Sequence, residues 1–394
     1  MFALKTLVAA ALALYAAAAP SKLHAVQKYA GRTKANSFVV TLKDDVNKAE
    51  LLASQPELAA SVTHAEWDAR LLNGFAGVFN AEQLNALRSS EFVKSIHEDG
   101  IYTIQGVQTD AAWGLGRLSS TDRLSGNDLS LNYTYVYDDA TQGSGVDIYV
   151  VDTGINTEHV DFGGRSTFGF AAGTLPSVDD HGHGTHVAAI ATGTRFGVAK
   201  LANTIAVKVL DASGGGTLAD VVSGFNYVLT AASATGRPSI ASASLGGGAS
   251  TAIDAAVQAL VDAGIHVVVA AGNSNVDAGT TSPARVAGAI TVGAASITDA
   301  KASFSNYGAI VDIWAPGVDI TSAFIGSTTA THVYSGTSQA TPHVSGLAAL
   351  YISLNGNTTP ADLATSLPSL TGVLSGIPRG TINRLAHSPA TADA

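Results

Sequence analysis

The sequence predicts an α/β protein whose larger part is a doubly wound domain with a mostly parallel sheet, preceded by a small α+β module. Three observations carry this. Short runs of apolar or small residues recur at 146–151, 205–209, 239–244 and 266–271, as suits strands buried on both faces of a parallel sheet. Between them, Leu218, Val221, Val222, Phe225, Val228 and Leu229 repeat at helical spacing, as do Ile253, Val257, Leu260 and Val261. Ahead of both, residues 38–96 run in β-α-β-α-β order.

Taken in order, FVVTL at 38–42 reads as a strand and 48–61 as a helix. LLNGFAGVF at 71–79 reads as a strand region kinked at its glycines. Asn80 caps a helix over 81–90, with Leu84 and Leu87 on one face, and 92–96 closes the module as a strand. Residues 100–120 loosen into Gly-, Gln- and Ser-containing sequence, read as a linker with a processing site. In the larger domain, a small-residue helix runs from His183 through Gly193. A second helix, rich in Ala and Leu over 344–354, is opened by Ser338, with Pro342 expected near its first turn, where a missing N–H costs little. Thr359-Pro360 has the form of a cap followed by proline at the first helical position.

Composition excludes several classes. Charged residues make up 13% of the 394, too few for a disordered chain. With 21 basic against 31 acidic residues, the net charge of −10 disfavours nucleic acid and anionic membrane as partners. Cysteine is absent, which removes disulfides, thiol nucleophiles and cysteine-ligated zinc. At the start, Lys5 precedes an apolar run over 7–19 that ends in small residues. That is the form of a cleaved signal peptide, residues 1–19, and is shorter than the roughly 20 residues of a membrane span. Secretion to the extracellular space, with no membrane attachment after cleavage, is the expectation.

In a doubly wound sheet, functional groups gather at the carboxyl ends of the strands. Asp152 ends the first strand of the domain, followed by Thr153 and Gly154. Asp180-His181-Gly182-His183-Gly184-Thr185-His186 opens a helix, and its glycines let substrate approach an imidazole. Ser338 lies in Gly336-Thr337-Ser338-Gln339-Ala340-Thr341-Pro342-His343, at the positive end of a helix, where a developing oxyanion is stabilised. Each alone has a plainer reading: a turn aspartate, a zinc-ligating histidine cluster, a capping serine. Together they supply a nucleophile, a base to take its proton and a carboxylate to orient the base, in the order Asp, His, Ser.

These motifs, DTGI, HGTHVA and GTSQATPHVSG, make the chain resemble the subtilisin-like serine peptidases of the proteinase K branch. The likeness implies a subtilisin-like catalytic domain over 106–394 and a ferredoxin-like inhibitory prosegment over 20–105, its structured core near 36–100. It implies a secreted endopeptidase of broad specificity acting through an acyl-enzyme, with Asp152, His183 and Ser338 as triad and Asn273 as oxyanion donor. It selects His183 over His181 and His186. It further implies that Gly214, Gly215 and Gly216, with Ser244, Leu245 and Gly246, flank an extended peptide, and that Leu218, Ala270 and Gly272 complete the substrate site. An apolar or aromatic residue before the scissile bond is expected from the likeness. So is a stabilising calcium on Asp312 and the carbonyls of Ala287 and Ala289, no cofactor being required for the chemistry. Implied partners are protein and peptide substrates and the chain's own prosegment, with the enzyme a monomer. One departure is Gln339, where the family usually has methionine. Asn132 and Asn357 open glycosylation sequons. The competing readings are an inactive homologue that binds without cleaving, and a histidine-bound zinc hydrolase.

Overall fold

The computed structural model describes residues 23–29, 33–101 and 105–388; the signal-peptide segment 1–19 lies outside the described residues. The chain divides into two compact units, Met1–Tyr102 and Thr103–Ala394.

In the first unit, a sheet of five strands among the described residues runs in the order Val26–Gln27, Val93–Gly100, Thr33–Leu42, Gly74–Val78, Val62–His64. Its core gathers Val40, Leu42, Phe75, Phe79, Leu87, Val93 and Ile96, all buried. Asn80 caps its helix as expected: Asn80 Oδ1 accepts from the Gln83 N–H at 2.9 Å, while Gln83 Oε1 accepts from the Asn80 N–H. Two expectations differ here. The helix expected over 48–61 is two, Lys48–Ser54 and Pro56–Ser61, because Pro56 starts a new helix and biases Gln55 away from helical geometry. The strand expected from 71 begins at Gly74, since Leu71 and Leu72 belong to the turn of helix Ala69–Leu72, capped by Asp68.

The second unit is built on a nine-stranded sheet among the described residues: β1 (Asp147–Asp152), β2 (Ser166–Ala171), β3 (Asn203–Lys208), β4 (Ser239–Ala243), β5 (His266–Ala270), β6 (Ile290–Ala295), β7 (Ile313–Pro316), β8 (Ser369–Thr371) and β9 (Arg384–Ala386). The spatial order is β8-β9-β7-β6-β5-β4-β1-β3-β2. Pairings are parallel except β8 with β9. Four helices matter for the site: α1 (His183–Thr192), α2 (Leu218–Thr235), α3 (Thr251–Asp262) and α4 (Thr337–Asn355).

Strand alternation divides the side chains between two faces. Ile148 and Val150 of β1 join Val187 and Ala188 of α1 and Val344 and Leu347 of α4 in one buried cluster. Tyr149 and Val151 point the other way, into a cluster with Phe225 and Val228 of α2 and Val257 and Leu260 of α3. Each such fully buried Val, Leu or Ile contributes about 1.5–3 kcal/mol relative to exposure, so β1, apolar on both faces, is pinned in register from two sides.

The region read as a linker is structured from Gln105 onward among the described residues. Gln105–Ala111 is a strand paired antiparallel with Tyr133–Asp138. Trp113–Ser119 is a helix buried along its length. Arg117 within it, 1% exposed, makes a two-pronged ion pair with Asp299 at 2.8 and 3.0 Å. Its glycines hid a segment whose structure depends on partners far along the chain.

Candidate active site

Because β1, β3, β4 and β5 are parallel neighbours, their carboxyl ends open on one edge of the sheet. The chain passes from β3, on one side of β1, to β4 on the other, so this edge is a topological switch point. Asp152 ends β1, Ser244 follows β4 and Asn273 follows β5. Helices α1 and α4 bring His183 and Ser338 to the same edge.

Asp152 is fully buried and receives the Thr153 N–H at 2.7 Å. Its two oxygens lie 2.8 and 3.0 Å from His183 Nδ1. A carboxylate only accepts, so the Nδ1 proton faces it and Nε2 is left as the basic nitrogen. Burial opposes a proton on His183, but the charge and hydrogen bond of Asp152, with Asp179 beyond, outweigh it and raise the imidazole above its ordinary value.

Asp179 sets this geometry. Buried, it accepts from Thr153 Oγ1, from the N–H groups of His181, Gly182 and Thr185, and from Thr185 Oγ1, at 2.6–3.1 Å. One carboxylate thus ties the end of β1 to the start of α1. It was not singled out in the sequence, where nothing local distinguishes it from Asp180. Asp180 instead pairs with buried Lys208 at 2.6 Å.

Ser338 is the second residue of α4 and Pro342 the sixth, so the proline lies just past the first turn, inside the helix, and its missing N–H is not one of the unpartnered donors as expected. Proline has no N–H to return to the carbonyl four residues back, which is that of Ser338. That carbonyl accepts instead from Ser244 Oγ at 2.8 Å. The Ser338 hydroxyl donates to the Ser244 carbonyl at 3.0 Å, so the two serines hold each other in a reciprocal pair.

Asn273 Oδ1 accepts from both Thr337 N (2.8 Å) and Thr337 Oγ1 (2.9 Å). With the oxygen held, the amide N–H₂ is turned away from Thr337. A Cβ placed on Gly336 would lie 3.4 Å from Asn273 Nδ2 and 3.5 Å from Ser338 N. Gln339 Oε1 is nearer still to that point, at 2.8 Å, so the two N–H donors and this carboxamide oxygen together border one small space beside Gly336. Thr337 is the residue sequence reading missed here; it stood inside the quoted motif but was given no role.

The cleft beside these groups encloses about 620 Å³. Its walls include Gly214, Gly215, Gly216, Leu218, Ser244, Leu245 and Gly246, with His181 and His183 between the two edges. Ala270 and Gly272 lie outside its lining, at the end of β5. The three histidines of the motif do not converge. His183 faces Asp152, His181 Nδ1 accepts from the His183 N–H, and His186 Nε2 meets the carbonyls of Ile320 and His332. Burial holds His186 neutral, down to about 3.

Asp312, away from the cleft, accepts the Thr291 N–H at 2.8 Å, and burial pushes its carboxyl up to about 6. A half-buried carboxylate and two backbone carbonyls are donors of the type a hard cation such as calcium takes. Arg384 is the positive group whose field partly offsets that rise.

Residues 143–371 match the Subtilase family, and residues 37–105 match Peptidase inhibitor I9. A cuticle-degrading protease of Metarhizium anisopliae is 41% identical over 365 residues, 90% of either chain. Alkaline protease 1 of Aspergillus clavatus is 44% identical, over 80% of this chain and 77% of that one. Among solved structures, a cold-adapted subtilisin-like serine proteinase superposes with a TM-score of 0.64 at 44% identity, covering 71% of this chain and 98% of the other.

Proposed function

Since this chain belongs to the subtilase family and is a serine peptidase carrying an I9 inhibitor segment, we propose that it is a secreted endopeptidase whose triad is Asp152, His183 and Ser338. The observation that carries this reading is the buried Asp152–His183 pair at 2.8 Å, set on the same sheet edge as Ser338 and a two-donor pocket. Substrate lies extended between 214–216 and 244–246, its main chain bonded to both edges, with Leu218, Ala270 and Gly272 shaping the side-chain sites. An N–H of the bound peptide takes the Ser244 carbonyl, and the Ser338 hydroxyl turns from it towards His183 Nε2.

His183 Nε2 removes the hydroxyl proton as Oγ adds to the scissile carbonyl. Asp152 stabilises the imidazolium without taking its proton. The oxyanion is received by Asn273 Nδ2 and Ser338 N. His183 then gives the proton to the leaving amine, the C–N bond breaks and an acyl-enzyme remains. Water, deprotonated by the same base, releases the acid and restores the serine.

Residues 1–19 are removed on secretion, 20–105 form an intramolecular inhibitor and folding aid, and 106–394 act as a monomeric enzyme after self-cleavage near Gln105. Calcium, where bound, is held by Asp312 and the carbonyls of Ala287 and Ala289, and stabilises without entering the chemistry. The test is intact mass of secreted protein after a fluorophosphonate probe, beside Ser338→Ala. One adduct on a shortened wild-type chain, with the variant unlabelled and uncleaved, is expected. A mature, folded chain that takes no adduct would refute the enzyme reading in favour of a binding homologue.

A further inference from the structure

Asn273 stands in a loop, 271–276, that leaves the sheet at the end of β5. Backbone groups lose their ladder partners there, and buried ones must find others. One side chain takes up three of them. Asn306, 1% exposed, donates from Nδ2 to the Ala271 carbonyl at 2.8 Å. Its Oδ1 accepts from the N–H groups of Ser274 at 3.0 Å and Val276 at 3.1 Å. The Asn306 N–H adds a fourth bond, to the Gly272 carbonyl at 2.8 Å. These bonds fall on residues 271, 272, 274 and 276, on both sides of Asn273.

The side chain suits the task. Two N–H groups and one carbonyl require an oxygen with two lone pairs and a donor, which a carboxamide joins in one short group. The fit is close. A Cβ placed on Gly272 would run into Asn306 Nδ2, and Gly272 has a φ of +102°, where side chains are disfavoured. Asn306 is itself tied to β6, since Ser305 Oγ donates to the Asn306 carbonyl at 3.0 Å and accepts the Ala294 N–H at 3.1 Å. The loop is thus anchored to the neighbouring strand.

We propose that Asn306 is a positioning residue for the oxyanion site, fixing the main chain of Asn273 while Thr337 fixes its side-chain oxygen. This rests on the endopeptidase reading, which makes Asn273 a donor to the oxyanion. A misplacement of about 1 Å costs about 10²-fold in such a site. The loss belongs to kcat, because the donor meets full charge only as the tetrahedral state forms, and KM stays nearly constant.

The test uses mature enzyme and a peptide anilide. Asn306→Ala is expected to lower kcat roughly 10- to 100-fold, below the roughly 10²- to 10³-fold of losing a whole donor. A peptide aldehyde, which adds to Ser338 and forms an oxyanion, is expected to bind more weakly by a similar factor. The matching peptide alcohol, which cannot add, is expected to bind as before. On top of Asn273→Ala the same substitution is expected to cost less than about twofold, since the two act as one unit. Should the alanine variant not fold, Asn306→Asp, which keeps both acceptor bonds and loses the donor, is carried through the same comparisons with the same split expected. A folded variant with wild-type kcat overturns the proposal, as does a rise in KM alone or a loss of equal size with and without Asn273. If wild-type enzyme cleaves no peptide and Ser338 takes no fluorophosphonate, the endopeptidase reading falls first and this inference with it.

Discussion

Thr337→Val tests whether the Asn273 amide is aimed by the residue before the proposed nucleophile. Thr337 is fully buried. The substitution removes its Oγ1 bond to Asn273 Oδ1 at 2.9 Å but leaves the backbone bond at 2.8 Å. It also strips the Gly272 N–H of its acceptor, Thr337 Oγ1, at 3.1 Å. One lost neutral hydrogen bond is worth about 0.5–1.5 kcal/mol, and a buried N–H left unsatisfied about 1–3 kcal/mol. The first figure belongs to turnover, because it loosens a donor that matters only when the oxyanion forms. It corresponds to a fall in kcat of roughly 2- to 12-fold at nearly constant KM. Losing such a donor altogether costs roughly 10²- to 10³-fold in kcat, as it does in subtilisin. The second figure belongs to stability, at about 2–4 °C of Tm per kcal/mol for a domain of this size. Steady-state kinetics on a peptide anilide, a thermal melt, and the same pair of measurements on Thr337→Ser decide the matter. Wild-type kcat in a folded Val variant, or a deficit that Ser does not repair, would refute the reasoning. So would a Thr337→Val loss that persists in full on top of Asn273→Ala, since the threonine would then act through something else.

Three further outcomes follow from the same geometry. Asp152→Asn removes the charge that raises His183, so the acid limb of kcat/KM, which falls as the imidazole is protonated, is expected to move to lower pH while the maximum drops about 10⁴-fold; a limb that stays in place would contradict it. Burial raises the Asp312 carboxyl from 3.8 to about 6, so the folded state binds the extra proton. Chelated protein should therefore lose stability as pH rises from about 4 to 6 relative to Asp312→Asn, and calcium should restore it in wild type only, as melts across that range would report. Met1 is the single methionine and cysteine is absent, so activity is expected to resist mild peroxide, and Gln339→Met is expected to make it sensitive; equal inactivation of both would argue against a role for that side chain.

Short motifs pointed to most of the candidate site because their chemistry is local: an aspartate at a strand tip, a glycine-flanked histidine, a serine at a helix start. What they could not carry is the wiring between them. Asp179 joins Thr153 to Thr185, and Thr337 aims Asn273 from 64 residues away. Such pairs are set by which strands lie side by side. The same limit applies to the fold. Strands β1, β3, β4 and β5 announce themselves as apolar runs. The strand Gln105–Ala111 contains Gln, Thr and Asp and owes its form to its partner, Tyr133–Asp138. The helix break at Gln55, by contrast, was marked in the sequence by Pro56 and overlooked because the apolar spacing runs through it.

The proline inside α4 puts stability and turnover in opposition at one residue. Helix interiors disfavour proline by about 3 kcal/mol, so alanine at position 342 would ordinarily stabilise the domain. It would also let the helix reclaim the Ser338 carbonyl. Ser244 would lose the acceptor for its hydroxyl, and the neighbouring strand would no longer hold the first turn from outside. The hardier protein would be the slower one, its proposed nucleophile tied to its own helix and released from the strand end that carries Ser244.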